Sequence, residues 1–100
     1  MWVRPFREPG KVSPAEARAI SSSCVRLEPG AAVGAHTTEG KEELLFVLEG
    51  EATLRIGGGD TTVGAGHVAF VPPDVLHDVV NEGPGRLTYV YVTAKLGQKS

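Results

Sequence analysis

The chain has 100 residues, of which 41% are hydrophobic and 22% are charged, and a formal net charge of −2, values that are typical of one ordinary globular domain. The charges form no basic stripe and there is no apolar run of about 18 residues, so we expect neither a nucleic-acid partner nor a membrane partner. The single cysteine, Cys24, excludes an intramolecular disulfide, and the first residues lack the apolar core of a signal peptide; together these features predict a cytoplasmic protein.

Only one stretch has the composition of a helix. It covers residues 12–20, VSPAEARAI, where Ser13 is suited to cap a helix and Pro14 to occupy its first turn. Because the stretch is short, a single helical turn and an irregular edge segment are equally consistent with it.

The remainder of the chain predicts short β-strands that are separated by turns. Thirteen glycines and seven prolines punctuate it, and residues 51–56 alternate polar and apolar side chains, which is the period of a strand with one wet face. The run from Gly57 to Asp60 predicts a hairpin turn. The strand-bearing stretches are 22–30, 42–50, 51–60, 61–66, 67–74, 75–85 and 86–95. Without helices between them, they predict an all-β fold, either an antiparallel sandwich or a small barrel.

The run from Leu44 to Leu48 is apolar at every position, although one face of an antiparallel sheet normally meets water. We therefore expect something to cover the second face of this strand. A second copy of the chain is the simplest cover and predicts a homodimer, because a small core gains from added burial. The alternative cover is the N-terminal segment, which carries Trp2, Val3 and Phe6.

Imidazole and carboxylate side chains lie just before this apolar run and on a later predicted strand. His36 and Glu43 are separated by a turn, and His77 lies on a later predicted strand. Imidazole and carboxylate are the usual ligands of zinc, iron, manganese, nickel and copper. Strand alternation places only one of Glu42 and Glu43 inside, and periodicity alone does not choose between them. A metal site, a hydrogen-bonded core cluster and a solvated turn are the alternatives at this point.

The spacing of these residues resembles the two sequence motifs of the cupin family. The first motif, G-x5-H-x-H-x3,4-E-x6-G, is matched by Gly30, His36, Glu43 and Gly50, with Thr38 in place of the second histidine. The second motif, G-x5-P-x-G-x2-H-x3-N, is matched by Gly66, Pro72, His77 and Asn81, with Asp74 in place of the second glycine. The resemblance implies a jelly-roll β-barrel, or double-stranded β-helix, in a single domain over residues 1–100, with a barrel core from about residue 20 to residue 94.

The resemblance also implies a divalent metal inside the barrel. It selects Glu43 as the interior acid by its spacing to Gly50, and it leaves His36, Glu43 and His77 as the ligands of iron, manganese, nickel or zinc. Thr38 departs from the family pattern, because a neutral hydroxyl is a poor ligand for these metals. The alternative is a metal-free barrel in which the three residues form a buried hydrogen-bonded trio, with Thr38 as a further member.

Three residues are candidates for positions near the site without being ligands: Thr38, Tyr89 and Tyr91. The last strand of a cupin contributes to the barrel wall, and the two tyrosines share strand parity with Leu87. Core packing is the other interpretation of both tyrosines. His67 follows a glycine in a turn, so we expect it at the surface.

Two kinds of function are consistent with these residues. The first is a small metal-dependent enzyme of dioxygenase, isomerase or lyase type that acts on a small molecule, with the metal polarising an oxygen or activating water or dioxygen. The second is a non-catalytic or metal-free module that binds a small molecule. The fold does not choose between them, and the sequence does not name the substrate.

Overall fold

The computed structural model describes residues 3, 5–6, 11–12 and 17–96. This part of the chain contains eight strands and no helix: β1 Lys11–Val12, β2 Ile20–Leu27, β3 Lys41–Glu49, β4 Glu51–Ile56, β5 Gly59–Gly64, β6 Val68–Val71, β7 His77–Val80 and β8 Leu87–Lys95. Accordingly, no helix in these residues is long and apolar enough to cross a membrane. Ser13 and Pro14, which suggested a helical turn, lie outside the described residues.

The strands form two antiparallel sheets. One has five strands in the order β1-β2-β8-β3-β6, and the other has three in the order β5-β4-β7. Neighbouring strands in both sheets run antiparallel. The prediction of an all-β antiparallel fold is therefore confirmed, and it follows from the many short strands that glycine and proline turns divide.

The hairpin between β4 and β5 shows how one turn sets the register. Gly57 and Gly58 connect the two strands with φ of 57° and 83°, and the register pairs Ile56 with Gly59. Positive φ at both central residues is the geometry of the tight hairpin turns that match the twist of their strands. The glycine-rich run therefore forms the predicted hairpin because glycine adopts this geometry without strain.

The hydrophobic core lies between the sheets. Its members are Leu45, Val47, Ala52, Leu54, Val63, Val71, Val79, Leu87 and Tyr89. Strand β3 illustrates how the sequence fills it, since burial alternates along the strand: Glu43, Leu45 and Val47 are buried, whereas Leu44 and Phe46 are each 39% exposed. Glu43 therefore faces the interior beside two core side chains.

Gly50 makes the tight connection between β3 and β4. Its φ is +79°, and a Cβ at this position would run into the backbone carbonyl of Arg86. Both the left-handed backbone and the close approach of the chain leading into β8 require glycine. The last glycine of the first motif thus serves the path of the chain.

The opposite face of β3 continues onto β6 as an apolar surface. We call Leu44, Phe46, Val68 and Phe70 the outer apolar face; they are 39%, 39%, 55% and 52% exposed. Of the N-terminal residues considered as a cover, Val3 and Phe6 are themselves 86% and 62% exposed, and Trp2 lies outside the described residues. Val3 and Phe6 are therefore not buried against this face.

Candidate metal centre

The two motif histidines are direct neighbours across a backbone bridge. The His36 amide donates to the His77 carbonyl over 2.9 Å, and the His77 amide donates to the His36 carbonyl over 2.9 Å. This reciprocal pair extends the smaller sheet beyond β7. Side chains of such a pair lie on the same face, and the two ring centroids are 4.4 Å apart with the planes tilted by 55°. The backbone therefore brings the two imidazoles together.

Each imidazole is oriented by a backbone carbonyl. Nδ1 of His36 lies 2.7 Å from the Gly34 carbonyl oxygen, and Nδ1 of His77 lies 3.0 Å from the Val75 carbonyl oxygen. A carbonyl oxygen only accepts, so Nδ1 carries the hydrogen in both rings and Nε2 keeps its lone pair when the ring is neutral. Carbonyl partners of this kind hold the ligating histidines of metal proteins in the required tautomer.

Glu43 approaches these rings from the opposite sheet. Its Oε2 lies 3.7 Å from Nε2 of His77, and its exposed fraction is 7%. Burial raises the pKa of Glu43, while the two histidines act in the opposite direction with a smaller effect. A nearby cation would offset the cost of burying this carboxylate.

The side chains of these three residues do not satisfy one another. Nε2 of His77 is fully buried and has no hydrogen-bond partner, and its distance to Glu43 is too long for a hydrogen bond. The Thr38 hydroxyl donates instead to the Lys41 carbonyl over 2.6 Å. The hydrogen-bonded trio with Thr38, which was the metal-free alternative, therefore does not form around His77.

The arrangement fits a divalent metal. One potential ligand atom from each of His36, Glu43 and His77 lies within 4.8 Å of the others. Atoms bound about 2.1 Å from one tetrahedral ion lie roughly 3.4 Å apart, so modest side-chain rotation would bring the three together. Two imidazole nitrogens and one carboxylate oxygen suit zinc, iron, manganese or nickel. His36 is exposed while the other two are buried, which leaves one side of the centre open.

Thr38 occupies the position of the missing histidine and closes a turn. Its side chain is 8% exposed, and the hydrogen bond to Lys41 spans the turn that leads into β3. Thr38 also lines a cavity that His36 and Glu43 share. The substitution therefore exchanges a potential ligand for a turn-stabilising hydroxyl on the wall of the same cavity.

Asp74 replaces the second glycine of the second motif and adopts a left-handed backbone conformation. Its φ is +61°, a region that favours glycine, asparagine and aspartate. Its Oδ1 accepts a hydrogen bond from the Gly40 amide over 2.8 Å. The loop before β7 is thereby tied to the turn before β3, so that Asp74 helps to hold together the two segments that carry the histidines and Glu43.

The cavity beside the centre has a volume of about 380 Å³. Besides His36, Thr38 and Glu43, its wall includes Tyr89 and Tyr91, the two tyrosines that were placed near the site from the sequence. Tyr89 is 3% exposed, and burial, followed by the negative charge of Glu43, raises its pKa. Its phenol therefore stays protonated at neutral pH and packs in the core while it lines the cavity.

The structure also places His67, and it adds residues of the cavity wall that the sequence did not identify. His67 is exposed, as predicted, with Nδ1 at 3.2 Å from the Gly64 and Ala65 carbonyl oxygens. Sequence reasoning missed three polar residues of the cavity wall: Ser21, Lys41 and Thr93. Lys41 stands two positions before Glu43, so strand parity could have identified it once Glu43 was placed inside.

Comparison with known proteins agrees with the architecture of this site. The cupin-domain family matches residues 23–93, and the chain therefore belongs to the cupin family. An oxalate-binding protein of Thermotoga maritima is 34% identical over 68 residues, which are 68% of this chain and 56% of that protein. The matched region thus spans little more than half the length of that relative.

Solved structures share the fold. A predicted oxalate decarboxylase from Thermotoga maritima is similar with a TM-score of 0.74 and 29% identity, over 85% of this chain and 76% of that one. A cupin protein from Bacteroides fragilis has a TM-score of 0.83 at 18% identity, over 100% of this chain and 86% of that one. At 18% identity, the similarity to the Bacteroides fragilis protein shows only a shared fold, the double-stranded β-helix. The antiparallel fold of this chain is of that type.

Proposed function

We propose that this cupin binds one divalent transition metal through His36, Glu43 and His77 and holds a small carboxylate-bearing molecule at that metal. The observation that carries the proposal is the buried Nε2 of His77, which has no hydrogen-bond partner and faces a buried carboxylate. Unpaired buried groups of this kind are costly unless a ligand satisfies them. The relatives described as oxalate-binding and as a predicted oxalate decarboxylase support a carboxylate as the bound group.

Each side chain of the site has a definite task in this function. When bound, a divalent metal supplies a Lewis acid that polarises the oxygens of the ligand. His36 and His77 present Nε2 because Gly34 and Val75 hold their Nδ1 hydrogens. Tyr89, kept protonated by its burial, offers a phenol hydroxyl on the cavity wall.

Turnover and binding without turnover are two versions of this function. The relative described as an oxalate-binding protein favours binding, whereas an enzyme of dioxygenase, isomerase or lyase type would use the open side of the centre for a reacting molecule. Incubation of the metal-loaded protein with oxalate, followed by measurement of remaining oxalate and released carbon dioxide, separates the two. Loss of oxalate at a constant rate per protein molecule identifies an enzyme, and oxalate that is bound but not consumed identifies binding without turnover of this ligand.

Metal uptake tests the proposal directly. Protein purified without a chelating tag and stripped with a chelator is expected to take up one equivalent of Zn²⁺ or Co²⁺, and metal at 100 times its Kd should raise the free energy of unfolding by about 2.7 kcal/mol. Calorimetric titration and thermal unfolding measure both effects. Absence of stoichiometric uptake of zinc, cobalt, manganese, nickel and ferrous iron would refute the proposal.

The variant Thr38→His sharpens this test, because it restores the family's second histidine on the cavity wall. We expect its affinity for Co²⁺ to rise at least about tenfold, since one more imidazole joins the ligand set. Thr38→Val is the matched control, as it removes the hydroxyl without adding a ligand. Equal Co²⁺ affinity in all three proteins would mean that position 38 does not reach the metal.

We also propose that two copies of the chain pair through the outer apolar face. Four large apolar side chains lie exposed and close together on β3 and β6, and β6 is an edge strand of its sheet. Contiguous exposed apolar patches and open sheet edges are typical of association surfaces. A second copy offers the same surface and buries both.

Replacement of one member of this face tests the pairing. Phe70→Glu is expected to convert the dimer to a monomer at micromolar concentration, because a buried carboxylate without a partner in each copy costs several kcal/mol, on the order of 3–5. Sedimentation velocity measures the change. Leu76→Glu is the matched control, since Leu76 is 61% exposed but lies outside the outer apolar face. A monomeric wild-type protein, or a dimeric Phe70→Glu variant, would contradict this interface.

A further inference from the structure

The inner face of the five-stranded sheet carries a polar row next to Glu43. The register pairs Glu43 with Thr93, and Thr93 with Ser21, so these side chains lie side by side on three neighbouring strands. The hydroxyls of Ser21 and Thr93 are 2.6 Å apart and hydrogen-bonded. All three residues line the cavity of the candidate metal centre. The cavity thus continues from the metal ligands along a hydroxyl-lined wall.

Positively charged side chains lie at one end of this wall. Lys41 lines the cavity, and it also lines an adjoining crevice of about 10 Å³ together with Arg18 and Lys95. Ser21 and Thr93 contribute to the same crevice, and no acidic side chain does. We call Arg18, Lys41 and Lys95 the basic cluster. Lys41, Ser21 and Thr93 therefore line both the crevice and the metal cavity.

The placement of the two lysines is unfavourable without an anion. Lys41 and Lys95 are directly paired across β3 and β8, and like charges at such positions destabilise a sheet. Among the residues that the structure describes, neither lysine forms an ion pair with a carboxylate. An anionic group in the cavity beside Lys41 would relieve this repulsion. Of Ser21 and Thr93, the hydroxyl that accepts in their mutual hydrogen bond keeps its own hydrogen free to donate to that anion.

We propose that Lys41, the member of the basic cluster that lines the cavity, binds the second carboxylate of a dicarboxylate ligand whose first carboxylate lies at the metal centre. This inference rests on the proposed function and names its ligand class. Lys41 and Glu43 are two residues apart on one face of a strand, so their Cα atoms are separated by about 7 Å. The carboxylates of oxalate are joined directly and lie closer together than this, whereas a dicarboxylate with a chain of about four or five carbons holds its carboxylates farther apart and is the better candidate to reach both groups.

A comparison of ligands of different length and charge tests the assignment. Calorimetric titrations use the full chain loaded with one equivalent of Zn²⁺ and four probes: acetate, oxalate, succinate and glutarate. We expect succinate or glutarate to bind at least about tenfold more tightly than acetate and more tightly than oxalate, because only the longer diacids engage Lys41. In Lys41→Met that advantage over acetate should fall about tenfold, with acetate affinity unchanged.

A matched control separates a local effect from a change in net charge. Arg86→Met also removes one positive charge, but Arg86 stands before the opposite end of β8 and pairs with Glu28, so it should leave all four affinities unchanged. Zn²⁺ affinity should be the same in Lys41→Met and wild type, because Lys41 is not a metal ligand.

Two different failures are distinguishable in these titrations. If the wild-type protein takes up Zn²⁺ and binds acetate or oxalate, but Lys41→Met leaves succinate and glutarate binding unchanged, the dicarboxylate assignment is wrong and the metal site stands. Tighter binding of oxalate than of both longer diacids would also overturn it. If the wild-type protein takes up no Zn²⁺ or other divalent metal, the proposed function fails and the assignment falls with it.

Discussion

Replacing Asn81 with alanine is expected to lower the free energy of unfolding by about 3 kcal/mol, because three hydrogen bonds of a buried side chain are lost. Asn81 is fully buried. Its Nδ2 donates to the carbonyls of Leu27 and Gly85, each over 2.9 Å, and its Oδ1 accepts from the Gly83 amide over 3.0 Å. One side chain thus joins the end of β2 to the loop between β7 and β8.

Thermal and urea denaturation of the metal-free protein measure this loss, which corresponds to a fall in Tm of about 15 °C for a domain of this size. Glu82→Ala is the control at the next position; its exposed ion pair with Arg55 should be worth less than about 1 kcal/mol. Asn81→Asp adds a second comparison, since it keeps the volume but removes both donors, and it should also be strongly destabilising. A loss below about 1 kcal/mol in Asn81→Ala would contradict this structural role.

Asn81 illustrates which features of the fold and the site the sequence alone predicts and which it does not. Its spacing from His77 was one of the matches to the two motifs that together identified the family and the fold, but spacing does not tell a ligand from a structural residue. The coordinates separate the two, because Nε2 of His77 faces the Glu43 carboxylate while the side chain of Asn81 ties backbone segments together. The all-β class and the hairpin at Gly57 follow from local patterns that need no long-range information. The interior position of Glu43 did not, because strand alternation left Glu42 and Glu43 open and only the family resemblance chose between them.

Other features depended on register, which a sequence without repeats does not encode locally. The histidines are adjacent because their backbones are reciprocally hydrogen-bonded, a pairing of residues 41 positions apart. The opposition of Lys41 and Lys95 likewise follows from the register of β3 and β8. Asp74 was identified only as a departure from the motif, and its positive φ and its bond to Gly40 explain why aspartate can stand there. Such long-range contacts are set by the packing of the whole barrel.

The residues of the candidate centre come from both sheets. His36 and His77 belong to the side of the smaller sheet and Glu43 to the larger, so a bound cation would bridge them. Without a cation, the barrel retains a buried carboxylate whose pKa is raised by its burial. Under the proposed function, the buried carboxylate that would bind the metal therefore lowers the stability of the metal-free protein, as is common where a site is arranged for a ligand.

The variant Glu43→Gln is expected to bind metal more weakly and to be more stable than wild type in the absence of metal. It should lower Zn²⁺ affinity by at least about 100-fold, since the carboxylate is the one anionic ligand among the three. In the metal-free protein it should instead increase the free energy of unfolding at neutral pH, because a neutral amide avoids the desolvation cost that raises the pKa of Glu43. Loss of binding and gain of stability in the same variant would distinguish a functional acid from a structural one.

The raised pKa of Glu43 determines how the difference in stability between wild type and Glu43→Gln changes with pH. A carboxyl whose pKa is raised by folding contributes stability that is fully present below its ordinary pKa of 4.5 and is lost as the pH rises through the higher folded value. Wild type and Glu43→Gln should therefore be similarly stable below that pH, and the variant should gain the advantage as the pH increases. Urea denaturation across this range measures the difference, with Glu42→Gln, on the opposite face of β3, as a control that should track wild type. Wild-type metal affinity in Glu43→Gln would remove Glu43 from the centre, and a metal-free variant less stable than wild type at neutral pH would contradict the cost assigned to the burial of its carboxylate.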